Sequence, residues 1–171
     1  MTAVDDDKPL GVRPADVSLD AFLKIYGGIY EHSPWIAEGA YHSGAATVDA
    51  LHAAMKKTVA AGTREQKLAL IRAHPDLAPA IGTALTDASV SEQKGAGLKE
   101  CTPEEFAAFQ QLNRDYKSKF GFPFIVAVKG LHRTDILKLF RQRMDNDAET
   151  EFATALAQID RIARFRLLAL P

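Results

Sequence analysis

Apolar residues recur at helical spacing along most of this chain, and short stretches rich in glycine, proline and polar residues separate the runs. After Thr47, for example, the residues Val48, Leu51, Met55 and Val59 fall on one side of a helix. A later stripe carries Phe152, Leu156, Ile159, Ala163, Arg166 and Leu170. The pattern predicts an all-α fold of about seven or eight helices. Residues 1–15 are expected to form a flexible tail, and residues 16–171 a single helical domain.

Several helix starts carry recognisable capping residues. Thr63 with Gln66, and Thr102 with Glu105, have the spacing of a capping box. Further starts are predicted at Ser18, Ser33 with Pro34 at N1, Thr47 and Thr134. Ser89 and Glu92 also have capping-box spacing, which offers a purely structural explanation for both residues.

One apolar run does not fit the helical pattern. Residues 122–128 form a short continuous apolar run, and no second strand is available to pair with them. We therefore expect a buried extended segment or the entry to a helix. Its backbone groups need partners, and neighbouring side chains are favoured over a polar ligand.

Composition excludes several classes of protein. The 171 residues carry a formal net charge of -1, which gives no basic field for nucleic acid or an anionic membrane. The single cysteine, Cys101, excludes an intramolecular disulfide. No apolar run is long enough to cross a bilayer, and the acidic N-terminus does not resemble a signal peptide. A cytoplasmic location is the expectation.

Common catalytic motifs are also absent. The sequence has no phosphate-binding loop, no dinucleotide-binding glycine pattern and no nucleophile elbow. No two histidines have the His-x-x-x-His spacing that would let them bind a metal from one helix face, so no metal site is expected.

The stretch Ala73-His74-Pro75-Asp76-Leu77 is the main candidate for chemistry. It closes an apolar helical run, and the residue before a proline is pushed out of the α region, so the helix is expected to end near His74. The partial negative charge of a helix C-terminus favours a protonated imidazole, which is a proton donor. The alternative is that His74 only caps the helix.

Other polar groups stand in apolar surroundings. Asn113 falls on the stripe of Phe106, Phe109 and Tyr116, and it needs hydrogen-bond partners if buried. Arg166 lies on the last apolar stripe and either reaches solvent or is held inward to bind an anion. A set of polar groups next to backbone breaks suits proton-transfer chemistry on a small polar substrate without a cofactor. The set consists of His74, Ser89 with Glu92 and Gln93, the backbone of Phe124–Val128, and Arg166.

Four motifs, in the same order and spread over residues 18–168, resemble the OHCU decarboxylase family, which acts on 2-oxo-4-hydroxy-4-carboxy-5-ureidoimidazoline. They are Glu31-His32-Ser33-Pro34-Trp35, Ala73-His74-Pro75-Asp76-Leu77, Ser89-x-x-Glu92-Gln93-x-x-Ala96-Gly97-Leu98 and Asn113-x-x-Tyr116-x-x-Lys119-Phe120-Gly121-Phe122-Pro123-Phe124-Ile125. One departure is Tyr41-His42-Ser43-Gly44, where the family has an Arg-Pro-Phe-like element, and it concerns the packing of the second helix.

The resemblance implies a cofactor-free, all-helical homodimer that releases CO2 and yields (S)-allantoin. It implies that His74 is the proton donor and Glu92 its catalytic partner. The implied substrate contacts are Pro75, Ser89, Val90, Ser91, Gln93, Phe124, Ile125, Val126, Ala127, Val128 and Arg166. Arg161 and Arg164 compete with Arg166, which is preferred because it shares the stripe of Ile159 and Ala163.

Two other functions stay open from the residues alone. One is a lyase or hydrolase that acts on a related ureide. The other is a helical interaction module without chemistry, whose signature is an exposed apolar helix face and no polar cluster around a pocket. For His32, a role in helix packing is expected.

Overall fold

The structure, a computed structural model, describes residues 7–79 and 85–171 and confirms the all-α fold class. The described part of the chain contains eight α-helices, as predicted. They are α1 Leu19–Tyr26, α2 Pro34–Ala40, α3 Val48–Ala61, α4 Arg64–Arg72, α5 Asp87–Gly95, α6 Pro103–Phe120, α7 Arg133–Arg143 and α8 Ala148–Ala169. Single 3-10 turns form at Pro14–Asp16 and Leu98–Glu100. No helix among the described residues is both long and apolar enough to cross a membrane.

The chain divides into two compact units. The first consists of Met1–Leu70 and Asp160–Pro171, and the second of Ile71–Ile159. Fully buried side chains form the core of the first unit, among them Phe22, Ile36, Leu51 and Met55. In the second unit, Tyr116 packs edge-on against Phe124 and Phe140, whose rings stack with centroids 3.9 Å apart. Burying one such side chain contributes about 1.5–3 kcal/mol.

Most predicted helix starts are confirmed, and two are wrong. The capping boxes of Thr63 and Thr102 form as expected. Helix α5 begins after Thr86, whose hydroxyl accepts from the Ser89 N–H, so Ser89 and Glu92 lie inside the helix instead of capping it. Helix α7 is capped by the His132 ring and not by Thr134.

The first unit also contains the described part of the predicted tail. The Leu10 N–H donates to the Ala46 carbonyl, and the Val48 N–H to the Lys8 carbonyl. Residues 1–6 lie outside the described residues, and flexibility of the tail stays a prediction. At the motif departure after α2, the Tyr41 hydroxyl donates to the Val17 carbonyl (2.6 Å), so this segment is packed through its aromatic residue.

Candidate active site

His74 lies just beyond the end of α4, as the sequence predicts. Its backbone N–H donates to the Ile71 carbonyl (3.2 Å), and only 9% of the residue is exposed. The imidazole is therefore held against the protein at a helix C-terminus. Next to it is an open cavity of about 400 Å³, lined by Arg72, His74, Asp76, Lys117, Gly121, Phe122 and Pro123.

The loop that follows His74 and Pro75 is held by side-chain amides. Gln93 uses both ends of its amide: Nε2 donates to the Asp76 carbonyl, and Oε1 accepts from the Ala78 N–H, each at 3.0 Å. Because Gln93 is buried in α5, this pair of bonds ties the loop to that helix. The family resemblance implies that Gln93 contacts substrate, and in the structure its amide is engaged by the loop.

Helix α6 holds the same loop from two further positions. Gln110 Nε2 donates to the Ala78 carbonyl (2.9 Å), and Asn113 Nδ2 donates to the Leu77 carbonyl (2.9 Å). We call Gln93, Gln110 and Asn113 the amide clamp. Ala78 has a φ of 46°, a left-handed conformation that costs a non-glycine residue about 1–2 kcal/mol. The clamp bonds offset that cost.

Asn113 gains a partner for only one end of its amide. Only 4% of the residue is exposed, and its Oδ1 atom has no hydrogen-bond partner among the described residues. Burying an acceptor without a partner costs about 1–3 kcal/mol. The hydrogen bond that Asn113 donates to the loop therefore comes with the cost of burying its Oδ1 atom.

Charged side chains flank the loop on the cavity side. Lys117 Nζ lies 2.7 Å from Asp76 Oδ2, and both side chains are partly exposed. Arg72 Nε donates to the carbonyl of Gly121 (3.0 Å). Gly121 ends α6 in a left-handed conformation, with a φ of 78°. The cavity beside His74 therefore carries two cations and one carboxylate.

Helix α5 carries the second predicted catalytic residue. Since the cap is Thr86, Glu92 is not needed to bond a helix N-terminus, and its half-buried position has no capping explanation. Among the other residues predicted there, Ser89 is buried, Val90 is half-buried and Ser91 is exposed.

Residues 122–128 form the expected buried segment without strand pairing. Arg143 Nη1 donates to the Ile125 carbonyl (2.6 Å), and the Ala127 N–H donates to Gln158 Oε1 (2.9 Å). The prediction that neighbouring side chains satisfy this backbone is confirmed for these two groups. No hydrogen bond to the N–H of Val126 or Val128 comes from the residues that the structure describes.

A buried ion pair supports that segment. Arg143 bonds Glu151 through Nε and Nη2, and Tyr116 and Asn146 also donate to the Glu151 carboxylate. Desolvation would raise the pKa of Glu151, but the hydrogen bonds from Arg143, Tyr116 and Asn146 outweigh it, and the pKa is lowered. The Arg143 guanidinium also stacks 4.4 Å over the Phe124 ring.

Arg166 belongs to the first compact unit. Its side chain is 9% exposed, and Nη1 lies 2.8 Å from Glu31 Oε2. Of the two predicted possibilities, the guanidinium is held inward, and Glu31 supplies an anion. Arg164 pairs with Asp49, whereas Arg161 lies over the Phe165 ring.

The side chain of His32 is 68% exposed, so the predicted role of His32 in helix packing is wrong.

Sequence reasoning missed Gln110, Arg143, Glu151 and Gln158. For Gln110 a signal exists, because Gln110, Asn113 and Lys117 repeat at helical spacing on α6. Arg143 and Glu151 are brought together only by folding. Among the described residues, no group of three or more histidine, cysteine, aspartate or glutamate side chains is arranged to hold a metal ion.

Comparisons with known proteins agree with this architecture. The family model for OHCU decarboxylase matches residues 15–168. A 2-oxo-4-hydroxy-4-carboxy-5-ureidoimidazoline decarboxylase of Haloferax volcanii is 44% identical over 149 residues, which cover 86% of this chain and 88% of that protein. A uric acid degradation bifunctional protein of Bacillus subtilis is 45% identical over 144 residues, 82% of this chain and 28% of that protein.

A solved structure extends the likeness to three dimensions. The crystal structure of (S)-allantoin synthase superposes with a TM-score of 0.71 at 35% identity, and the match covers 92% of this chain and 54% of that chain. The match to the family model over nearly the whole length, together with relatives at this level of identity, shows that the chain belongs to the OHCU decarboxylase family.

Proposed function

We propose that this protein decarboxylates OHCU to (S)-allantoin without a cofactor, with His74 as the proton donor and Glu92 as its partner. The observation that carries the proposal is a buried histidine beside a cavity of about 400 Å³ in a member of this family. The names of the relatives, a decarboxylase of OHCU and an (S)-allantoin synthase, supply the substrate and the product.

The reaction needs little besides orientation and a proton. One ring carbon of OHCU carries a carboxylate and a hydroxyl, and the adjacent carbon carries the ureido group and an imine. When CO2 leaves, the electron pair of the broken bond forms a double bond between these two carbons, and the imine nitrogen accepts the displaced pair together with a proton. The enol then loses its hydroxyl proton, and a proton is added to one face of the ureido-bearing carbon.

His74 suits the delivery of that proton. The imidazole is held at the C-terminal end of α4, where the helix dipole favours a protonated ring. General acid catalysis of this kind contributes about 10²–10⁴-fold to a rate. Because the loop after His74 is fixed by side-chain bonds, the ring would meet only one face of the intermediate.

Glu92 would accept hydrogen bonds from the substrate hydroxyl or the ureido N–H groups. Its position inside α5 supports this role, because the competing explanation as a helix cap no longer applies. Further substrate contacts would come from Pro75, Ser89, Val90, Ser91 and Gln93.

The segment Phe124–Val128 would read the polar edge of the substrate ring through its backbone. The Val126 and Val128 N–H groups support this proposal, since the described residues supply them with no hydrogen bond. Arg166 would hold the substrate anion through a charge-assisted bond, with Glu31 fixing the guanidinium.

The first test concerns His74. OHCU is generated fresh from urate, and the appearance of optical activity is followed. We expect His74→Gln to lower turnover by about 10²–10⁴-fold, because it removes the acid. His42→Gln, at an exposed histidine, is the matched control and should match wild type. If His74→Gln is as fast and as enantioselective as wild type, the proton-donor role is lost.

The second test concerns Glu92. We expect Glu92→Gln to reduce turnover with little change in the free energy of unfolding, since the side chain does not cap α5. Glu104→Gln, at an exposed position of α6, serves as the control. A loss of stability with unchanged turnover would return Glu92 to a structural role.

A panel of ureides separates the competing functions. Turnover of a different ureide would favour a related lyase or hydrolase, and absence of turnover with every ureide would favour an interaction module. The homodimer is also a proposal, which light scattering across protein concentrations tests. Dialysis against a chelator should leave turnover unchanged if the reaction is cofactor-free.

A further inference from the structure

The amide clamp lies outside the groups proposed to touch substrate, with the exception of Gln93. Two of its members, Gln110 and Asn113, belong to α6 and act only on the backbone of the loop after His74. We propose that Gln110 and Asn113 are positioning residues, which set the orientation of the His74 ring by holding that loop. This inference rests on the proposed role of His74 as the proton donor.

The connection from clamp to imidazole is short and stiff. Pro75 follows His74 directly and has a fixed φ, and the next three residues each have their carbonyl held by a clamp amide. Little rotational freedom therefore remains between the clamped loop and the ring. A change in the loop backbone is passed on to the position of the ring.

The conformation of Ala78 gives the clamp something to hold. At φ 46° this buried alanine is in the left-handed region, which is unfavourable for residues other than glycine. Its N–H donates to Gln93, and its carbonyl accepts from Gln110. Without the Gln110 bond, the loop is expected to relax towards an ordinary conformation. The His74 ring would move with it.

The clamp is made of neutral groups. Three amide side chains hold the loop, and the one charged contact near it, Lys117 with Asp76, is an ion pair at the partly exposed edge. A neutral clamp fixes the backbone without adding a charge that opposes the protonated imidazole. The amides belong to two helices, α5 and α6, so the loop is bonded to both.

The chain supplies a matched control within α6. Gln111 follows Gln110 directly, is exposed, and donates to Asp115 Oδ1 (2.8 Å) on the same helix instead of to the loop. Gln110→Leu and Gln111→Leu thus remove the same group from neighbouring positions. Only the first change removes a bond to the loop that follows His74.

The experiment measures turnover of OHCU, KM and the enantiomeric excess of allantoin for both variants. We expect Gln110→Leu to lower kcat by about tenfold or more and to reduce the enantiomeric excess, with KM changed by less than about threefold, because a misplaced catalytic group loses rate more than binding. Gln111→Leu should match wild type. Equal kcat and enantiomeric excess in the two variants would overturn the inference.

A second pair of variants keeps the inference testable if Gln110→Leu does not fold. Gln110→Glu keeps the shape of the side chain but replaces the donating amide with an acceptor that faces the Ala78 carbonyl, and Gln111→Glu is its control. The expected difference in kcat is the same. Near-UV circular dichroism of each variant reports whether the fold is kept.

A rescue separates loop positioning from a general effect on α6. In the Gln110→Leu background, Ala78→Gly removes the strain of the left-handed conformation, so the loop keeps its shape with fewer bonds. We expect kcat to recover by about threefold or more, because glycine adopts the left-handed conformation without the cost that alanine has there. Absence of recovery would mean that the loss does not pass through the loop, which overturns the inference.

Failure of the inference differs from failure of the proposed function. If wild type does not turn over OHCU, the proposed function is wrong. If wild type is active and the Gln110 and Gln111 variants behave alike, the function stands and only the positioning role is lost.

Discussion

Two segments of the second compact unit have no regular secondary structure, and they are held in opposite ways. The loop at Asp76–Ala78 is held by neutral amides, each with one or two bonds. The segment at residues 122–128 is supported by a buried ion pair, Arg143 with Glu151, and by one amide from Gln158. The neutral support lies next to His74, the proposed proton donor, whereas the segment at residues 122–128 is supported by a buried pair of opposite charges.

The difference predicts how each segment fails. A buried guanidinium left without its carboxylate retains most of its desolvation cost, whereas a lost neutral amide leaves a single unpaired carbonyl. Changes in the ion pair should therefore appear as loss of stability. Changes in the amide clamp should appear mainly as loss of turnover.

The largest expected effect follows from breaking the ion pair. Arg143→Met leaves Glu151 buried without its main partner and removes the donor to the Ile125 carbonyl, so we expect a loss of about 3–5 kcal/mol in the free energy of unfolding. Urea denaturation measures it. Arg141→Met, at an exposed position of the same helix, should change stability by less than about 0.5 kcal/mol. Similar losses in both variants would contradict the comparison.

The same pair predicts an acid-dependent stability. The pKa of Glu151 is lowered in the folded state, so its contribution is fully present above the unfolded pKa of about 4.3 and is lost as the pH falls through the lower folded value. Denaturation midpoints across acidic pH measure this dependence for wild type and for Glu151→Gln. The variant should be less stable near neutral pH and lose less on acidification. An identical dependence in both proteins would assign the acid sensitivity to other groups.

The smallest expected effect concerns the neutral support of the same segment. Gln158→Leu leaves the Ala127 N–H without its acceptor, so we expect a loss of about 1–3 kcal/mol. Gln142→Leu, at an exposed glutamine of α7, is the control for urea denaturation. A loss as large as that of Arg143→Met would show that charge is not what distinguishes the two kinds of support.

The sequence predicts the helices better than the contacts between them. Helical periodicity and the boxes at Thr63 and Thr102 are local properties, and the structure follows them. At α5 two overlapping capping patterns compete, Thr86 with Ser89 and Ser89 with Glu92, and spacing alone does not choose between them. The choice decides whether Glu92 caps the helix or lies within it.

The candidate site shows the same division. The position of His74 at a helix end follows from the proline after it, and the structure agrees. The pairing of Gln110 with Ala78, at a separation of 32 residues, depends on how α6 packs, and the helical spacing of Gln110, Asn113 and Lys117 does not identify the loop as their partner. The catalytic roles of His74 and Glu92 stay predictions until the variants are measured.

Trp35 gives these experiments an optical advantage. It is the only tryptophan of the chain, it belongs to the first compact unit, and its ring lies close to Gly62, where an added Cβ would be 3.2 Å away. Tyr116, packed edge-on between aromatic rings, belongs to the second unit. Tryptophan fluorescence therefore reports on the first unit alone. Near-UV circular dichroism at tyrosine wavelengths reports on both units, because Tyr26, Tyr30 and Tyr41 belong to the first unit. Coincident curves from the two measurements would identify one cooperative transition.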